Sequence, residues 1–140
     1  MKALELRRHA HREPEEDRLS ASGRELAAGV AATLREPFDV VFVSPAARAA
    51  ETAAVLAPDL SPTVVAGLGS DAEPEELGGV LRDLFDRIPD GSRALAVGHT
   101  PLIEKAVLGL TGREVAPLAE CEGVLIVDDG GTYEVEEVRL

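Results

Sequence analysis

Val40-Val41-Phe42-Val43 is an unbroken apolar run, set between Asp39 and the Ser44-Pro45 break. A strand without polar alternation is buried on both faces, the condition of a strand inside a parallel sheet covered by helices. The rest of the chain supplies what such a sheet needs. Ala3–Arg8 reads as a first strand, with Leu4 and Leu6 alternating. Ser20 suits the N-cap of the next helix, since its hydroxyl can accept from an orphan N–H of the first turn. Leu26, Val30 and Leu34 then recur on one helical face until Pro37. Ala46–Leu56 reads as an Ala-rich helix closed by Pro58, and Thr63–Ala66 as a short third strand. Pro74 opens a helix to Ile88 with an apolar stripe at Leu77, Val80, Leu81, Leu84 and Ile88. Arg93–Val97 is a fourth strand, after which Gly98-His99-Thr100-Pro101 opens a helix to about Leu110. Gly123–Val127 and Thr132–Val138 form a hairpin around Asp129-Gly130-Gly131.

Strand and helix alternate four times before the hairpin. This order predicts a three-layer α/β/α sandwich, with a mostly parallel sheet and a C-terminal antiparallel hairpin. Residues 1–140 are expected to form one domain, long enough to fold without a disulfide or metal staple. Ligands of such sheets bind beyond the carboxyl ends of the strands. Three segments fall there: Arg8-His9, Ser44–Arg48 and Gly98-His99.

Composition removes several functions. Fourteen basic residues against 26 acidic leave a net charge of −12. A nucleic-acid binder needs excess basic charge to displace phosphate counterions, and an anionic membrane surface makes the same demand. The one cysteine, Cys121, excludes an internal disulfide and a cysteine-based zinc site, and is read as a packing residue. No metal site or cofactor motif is expected: there is no Walker A sequence, and Gly67-Leu68-Gly69 lacks the rest of a dinucleotide fingerprint. Without a long apolar run or a signal-like start, the expected location is the cytoplasm.

The chemistry rests on few residues. Two of the three histidines, His9 and His99, follow predicted strands, and Arg8 and Arg48 lie at equivalent strand ends. Arginine offers a planar fork of donors that matches phosphate oxygens. An imidazole attacks phosphorus if one nitrogen is unprotonated while the other donates to a fixed acceptor. A second imidazole, if protonated, stabilises charge on the transferring group. Arg7, Arg8, Arg12, Arg18 and Arg24 crowd the first 24 residues and could mark an anion site within an acidic protein.

Leu6-Arg7-Arg8-His9-Ala10 resembles the Arg-His-Gly signature of the histidine phosphatase superfamily, with Ala in the third place. Ser44-Pro45-Ala46-Ala47-Arg48-Ala49-Ala50-Glu51-Thr52 is similar to its Ser-Pro-x-x-Arg-Ala-x-x-Thr segment. Val97-Gly98-His99-Thr100-Pro101 looks like its second histidine motif, and Arg18-Leu19-Ser20 to Gly23 resembles the start of its first helix. The resemblance implies His9 as the nucleophile that becomes phosphohistidine. It implies Arg8 and Arg48 as phosphoryl clamps and His99 as the group that completes the pocket. Arg18 and Thr100 are further candidates for substrate binding. The short chain, without an inserted cap, most resembles the SixA-type phosphohistidine phosphatases. A phosphorylated signalling protein is then the expected partner, and a small phosphorylated metabolite the alternative.

Many relatives in that superfamily carry a carboxylic acid that protonates the leaving group. Asp71 and Glu73 are the candidates here, against a simpler reading as helpful charge before a helix N-terminus. His11 and Arg12 could line the rim. Glu13, Glu15, Glu16 and Asp17 read as a solvated acidic loop. Three functions remain open: a phosphohistidine phosphatase, a small-molecule phosphomonoesterase acting on a sugar or nucleotide phosphate, and a non-catalytic phosphate-recognition module.

Overall fold

The computed structural model describes all 140 residues. Its strands are β1 (Lys2–Arg8), β2 (Val40–Val43), β3 (Thr63–Val64), β4 (Arg93–Gly98), β5 (Gly123–Asp129) and β6 (Thr132–Val138). Its helices are α1 (Ala21–Thr33), α2 (Ala47–Leu56), α3 (Pro74–Arg87) and α4 (Leu102–Thr111), with one 3-10 turn at Ala66–Leu68. All six strands share one sheet in the order β3-β2-β4-β1-β5-β6. The first four in that order run parallel, and β5 and β6 add as an antiparallel hairpin beside β1. The architecture is the expected α/β/α sandwich.

Alternation along each strand divides the core in two. Leu4, Leu6, Phe42, Ala94 and Ala96 face α3 and α4, where Leu77, Leu81, Leu84, Phe85, Ile103 and Val107 meet them. Val41, Val43, Leu95 and Val97 face the other layer, against Ala27 and Val30 of α1 and Ala49 and Ala53 of α2. Each fully buried aliphatic side chain contributes about 1.5–3 kcal/mol relative to exposure. The small residues of α2 let it lie close to the sheet, which matters for Arg48 at its first turn.

Three element ends differ from expectation. α1 stops at Thr33, well before Pro37: the Leu34 N–H bonds back to Ala31 O and its backbone is already extended. Leu34 packs against the core from outside the helix. β3 is only two residues long, paired to Phe42 and Val43, before the chain coils into the 3-10 turn. The last helix begins at Leu102, so His99–Pro101 form a turn beyond β4.

Arg7 does not join an anion site. The alternation that turns Leu4 and Leu6 one way turns Glu5 and Arg7 the other, and both are buried. Arg7 Nε donates to Glu5 Oε2 at 2.8 Å, Arg7 Nη1 donates to Cys121 O at 2.7 Å, and Arg93 completes the group at Glu5 Oε1. Cys121 is fully buried, and burial pushes its thiol up to about 11. No helix is long and apolar enough to cross a membrane.

Candidate active site

Parallel strands deliver their carboxyl ends to one edge of a sheet. β1 and β4 are neighbours with Arg8 opposite Gly98, so the next residues, His9 and His99, emerge side by side. The His9 N–H donates to Gly98 O at 3.1 Å, and the two rings lie 5.2 Å apart, edge to face. β2 ends beside them, with the Ser44 N–H on Val97 O at 3.1 Å. The chain then turns into α2, whose first turn carries Arg48 back over both rings.

Arg48 bridges the histidines. Its Nε donates to His9 Nε2 at 3.3 Å, and its Nη2 lies 3.4 Å from His99 Nδ1. A guanidinium has no acceptor, so both of those imidazole nitrogens present lone pairs. The remaining nitrogens are therefore the protonated ones. His9 Nδ1 donates to Ala10 O at 2.7 Å, and His99 Nε2 donates to Ser44 Oγ at 2.7 Å. His9 thus has the tautomer a nucleophile requires, with Nε2 open toward Arg48 and His99.

The electrostatics agree. Burial, aided by the positive charges of Arg48, Arg8 and Arg12, holds His9 below its ordinary 6.5, against the opposing pull of its bond to Ala10. His99 is lowered to about 4, by burial first and then by Arg48 and His9. Both rings are neutral at neutral pH. A protonated His99, the form expected to stabilise charge, requires a neighbouring negative charge to raise its pKa.

Arg8 approaches from the β1 side. Its Nη1 donates to Leu118 O at 2.8 Å, its Nη2 lies 3.9 Å from Glu120, and its Nε is buried with no partner. Its charge reaches both His9 and His99. No cluster of three His, Cys, Asp or Glu side chains is placed to hold a metal ion.

The sequence matches the histidine phosphatase superfamily (branch 1) over residues 5–69, which takes in His9 and Arg48. Solved structures share the chain's fold over nearly the whole length. A phosphoserine phosphatase mutant from Entamoeba histolytica, in complex with phosphoserine, is 18% identical with a TM-score of 0.85, covering 99% of this chain and 97% of that one. The protein histidine phosphatase SixA, complexed with tungstate, is 20% identical with a TM-score of 0.76, covering 98% and 96%. The α-ribazole phosphatase from Shigella flexneri is 16% identical with a TM-score of 0.79, covering 99% and 96%. No curated protein sequence matches it significantly.

The other residues singled out from sequence lie in varied places. Arg18 is exposed and paired with Glu16 at 2.6 Å. Thr100 turns its hydroxyl to Glu104 on α4, whose carboxylate also accepts from the Leu118 N–H. Asp71 is paired with Lys105 at 2.8 Å, and that hydrogen bond holds its carboxyl below the usual range. Glu73 occupies the N-cap position of α3 without a side-chain capping bond. His11 is exposed, 3.6 Å from Glu120, and Arg12 reaches only toward backbone carbonyls of its own loop.

Three residues of the site escaped sequence reasoning. Ser44 holds the His99 ring through its hydrogen bond to Nε2. Thr52 Oγ1 accepts from the Ala10 N–H at 3.0 Å and donates to Arg48 O at 2.8 Å, tying the backbone after His9 to α2. Both stand in the Ser-Pro-x-x-Arg-Ala-x-x-Thr segment, so their positions were visible but not their partners. The third, Asp17, lay hidden in the acidic loop.

Proposed function

We propose that the protein is a phosphatase that passes the phosphoryl group through Nε2 of His9. The observation that carries this reading is the tautomer: Nε2 is unprotonated, fixed by the Nδ1–H bond to Ala10 O, and faces a guanidinium edge and a second imidazole. Arg48 and Arg8 bind the phosphoryl oxygens. Nε2 attacks phosphorus, the bond to the leaving group breaks, and phosphohistidine forms. Water then attacks phosphorus, the P–N bond breaks, and phosphate leaves with His9 restored. His99, raised toward the imidazolium by the incoming dianion, stabilises the equatorial oxygens.

The substrate we favour is phosphohistidine displayed on a signalling protein, in the cytoplasm. No carboxylate hydrogen-bonds either imidazole. Asp71, bound to Lys105, favours its ionised form, which cannot supply a proton. A site without a strong acid suits a leaving group that departs readily, and the P–N bond of a phosphoramidate provides one. The chain between α2 and α3 adds only β3 and a 3-10 turn, which leaves the site open to a side chain on another protein. The competing reading, a small-molecule phosphomonoesterase, draws support from the higher TM-score of the phosphoserine phosphatase.

Rates on phosphoramidate and on a panel of phosphate esters, with a chelator present, test the choice. The proposal expects phosphate release from phosphoramidate by the native protein, slower release from esters, and none from His9→Ala. Release from esters alone would select the phosphomonoesterase. Phosphate binding without turnover, unchanged in His9→Ala, would select a recognition module.

A further inference from the structure

Asp17 is exposed, in a loop whose acidic residues have no evident task. Yet its carboxylate is the most fully bonded near the site. Oδ2 accepts from the Ala47 N–H at 2.8 Å, and Oδ1 accepts from the Arg48 N–H at 2.9 Å. Oδ1 also accepts from Arg48 Nη1 at 3.0 Å. These bonds lower its pKa, the Arg48 backbone N–H contributing most.

Two deficits of α2 explain the arrangement. The helix begins after Ala46, which has no side chain to cap it. Its first N–H groups are orphan donors at the positive end of the helix dipole, and a carboxylate from elsewhere satisfies them. Arg48 sits in this same first turn. A free guanidinium on a flexible stem samples many rotamers. With Nη1 held by Asp17, the Nε–Nη2 edge is turned toward His9 and His99, which it contacts at 3.3 and 3.4 Å. That edge has the spacing for a two-point grip on phosphoryl oxygens.

We propose that Asp17 is a positioning residue: it caps α2 and clamps Arg48 Nη1, so that the Nε–Nη2 edge is presented to the phosphoryl group. This deepens the phosphatase reading and rests on it. It carries a sign that simple electrostatics would reverse. Removing a negative charge beside an anion site ordinarily tightens anion binding. Loss of Asp17 should weaken it.

The test is the affinity for tungstate, measured by calorimetry on the full chain at neutral pH. Asp17→Ala should weaken binding by roughly tenfold, the scale of one charge-assisted hydrogen bond. Glu15→Ala, which removes a charge from the same loop, should leave affinity unchanged or slightly tighter. In an Arg48→Ala background, Asp17→Ala should cause no further loss. If Asp17→Ala fails to fold, Asp17→Asn takes its place, since the amide keeps one acceptor and the same shape. Unchanged or tighter binding in the Asp17 variant, or an equal loss with and without Arg48, overturns the positioning role while leaving the phosphatase reading intact. Failure of the native protein both to bind tungstate and to release phosphate overturns both.

Discussion

Arg48 can only give hydrogen bonds, so the groups that face it must be electron pairs. His9 and His99 meet that demand by staying neutral, and neutrality has a consequence for stability. The pKa of His99 is lowered from 6.5 to about 4 in the folded protein, and that of His9 is also lowered. The unfolded chain therefore takes up these protons first. Stability contributed by His99 is fully present above its ordinary 6.5 and is lost as pH falls from there through about 4. We predict that urea unfolding midpoints of the native protein fall over this window. His99→Gln, which keeps a donor for Ser44 but cannot titrate, should lose distinctly less stability over the same window. Equal losses in the two proteins would mean that His99 is already protonated in the folded state.

At the scale of elements, glycines decide how closely neighbours approach. A Cβ on Gly109 of α4 would stand 1.7 Å from Pro74 O, and one on Gly78 of α3 would stand 2.6 Å from the Gly109 carbonyl carbon. The two helices therefore meet backbone to backbone. Gly109→Ala should destabilise the fold by about 1–3 kcal/mol or more, as overpacking does. Gly29→Ala, exposed in α1 with nothing within 4 Å, should instead stabilise by up to about 1 kcal/mol. Paired denaturation curves check both signs, and a Gly109→Ala midpoint equal to the native one would contradict the close contact. Gly23 has a similar role nearer the chemistry, where a Cβ would meet His11 O at 2.0 Å. The His11 carbonyl also accepts from the Ser20 N–H at 2.9 Å, so α1 braces the segment just after His9.

Local pattern made much of this legible. The Val40–Val43 run, the Ser20 cap and the Leu77–Ile88 stripe are encoded by residues within a turn or two of each other. His9 and His99 were also legible, because each follows a strand and parallel strands end at one edge. What stayed hidden were bonds between side chains and distant backbone. Asp17 reads as one more solvated carboxylate until α2, thirty residues later in sequence, is brought against it. Arg7 reads like its neighbour Arg8 until strand alternation turns it to Glu5. β3 is shorter than its β-branched Thr63-Val64-Val65 run suggests, because its pairing partner β2 ends at Val43 and the chain coils into the 3-10 turn at Ala66.

For the molecule as a whole, a net charge of −12 surrounds a site built on two arginines and two imidazoles. Six of the other ten arginines are paired with carboxylates: Arg7 and Arg93 with Glu5, Arg18 with Glu16, Arg24 with Glu51, Arg113 with Glu137, and Arg139 with Glu122 and Glu137. On the proposed function, the phosphoryl group binds where two adjacent parallel strands and the first turn of α2 converge. In the proposed reaction, His9 carries this group between substrate and water. The most direct measurement is to mix the protein with phosphoramidate, quench in base to preserve phosphohistidine, and locate the label by mass spectrometry of peptides. A single phosphoryl group is expected on the peptide containing His9, absent in His9→Ala and cleared when phosphoramidate is exhausted. A label on another residue, or phosphate release that persists in His9→Ala, would contradict it.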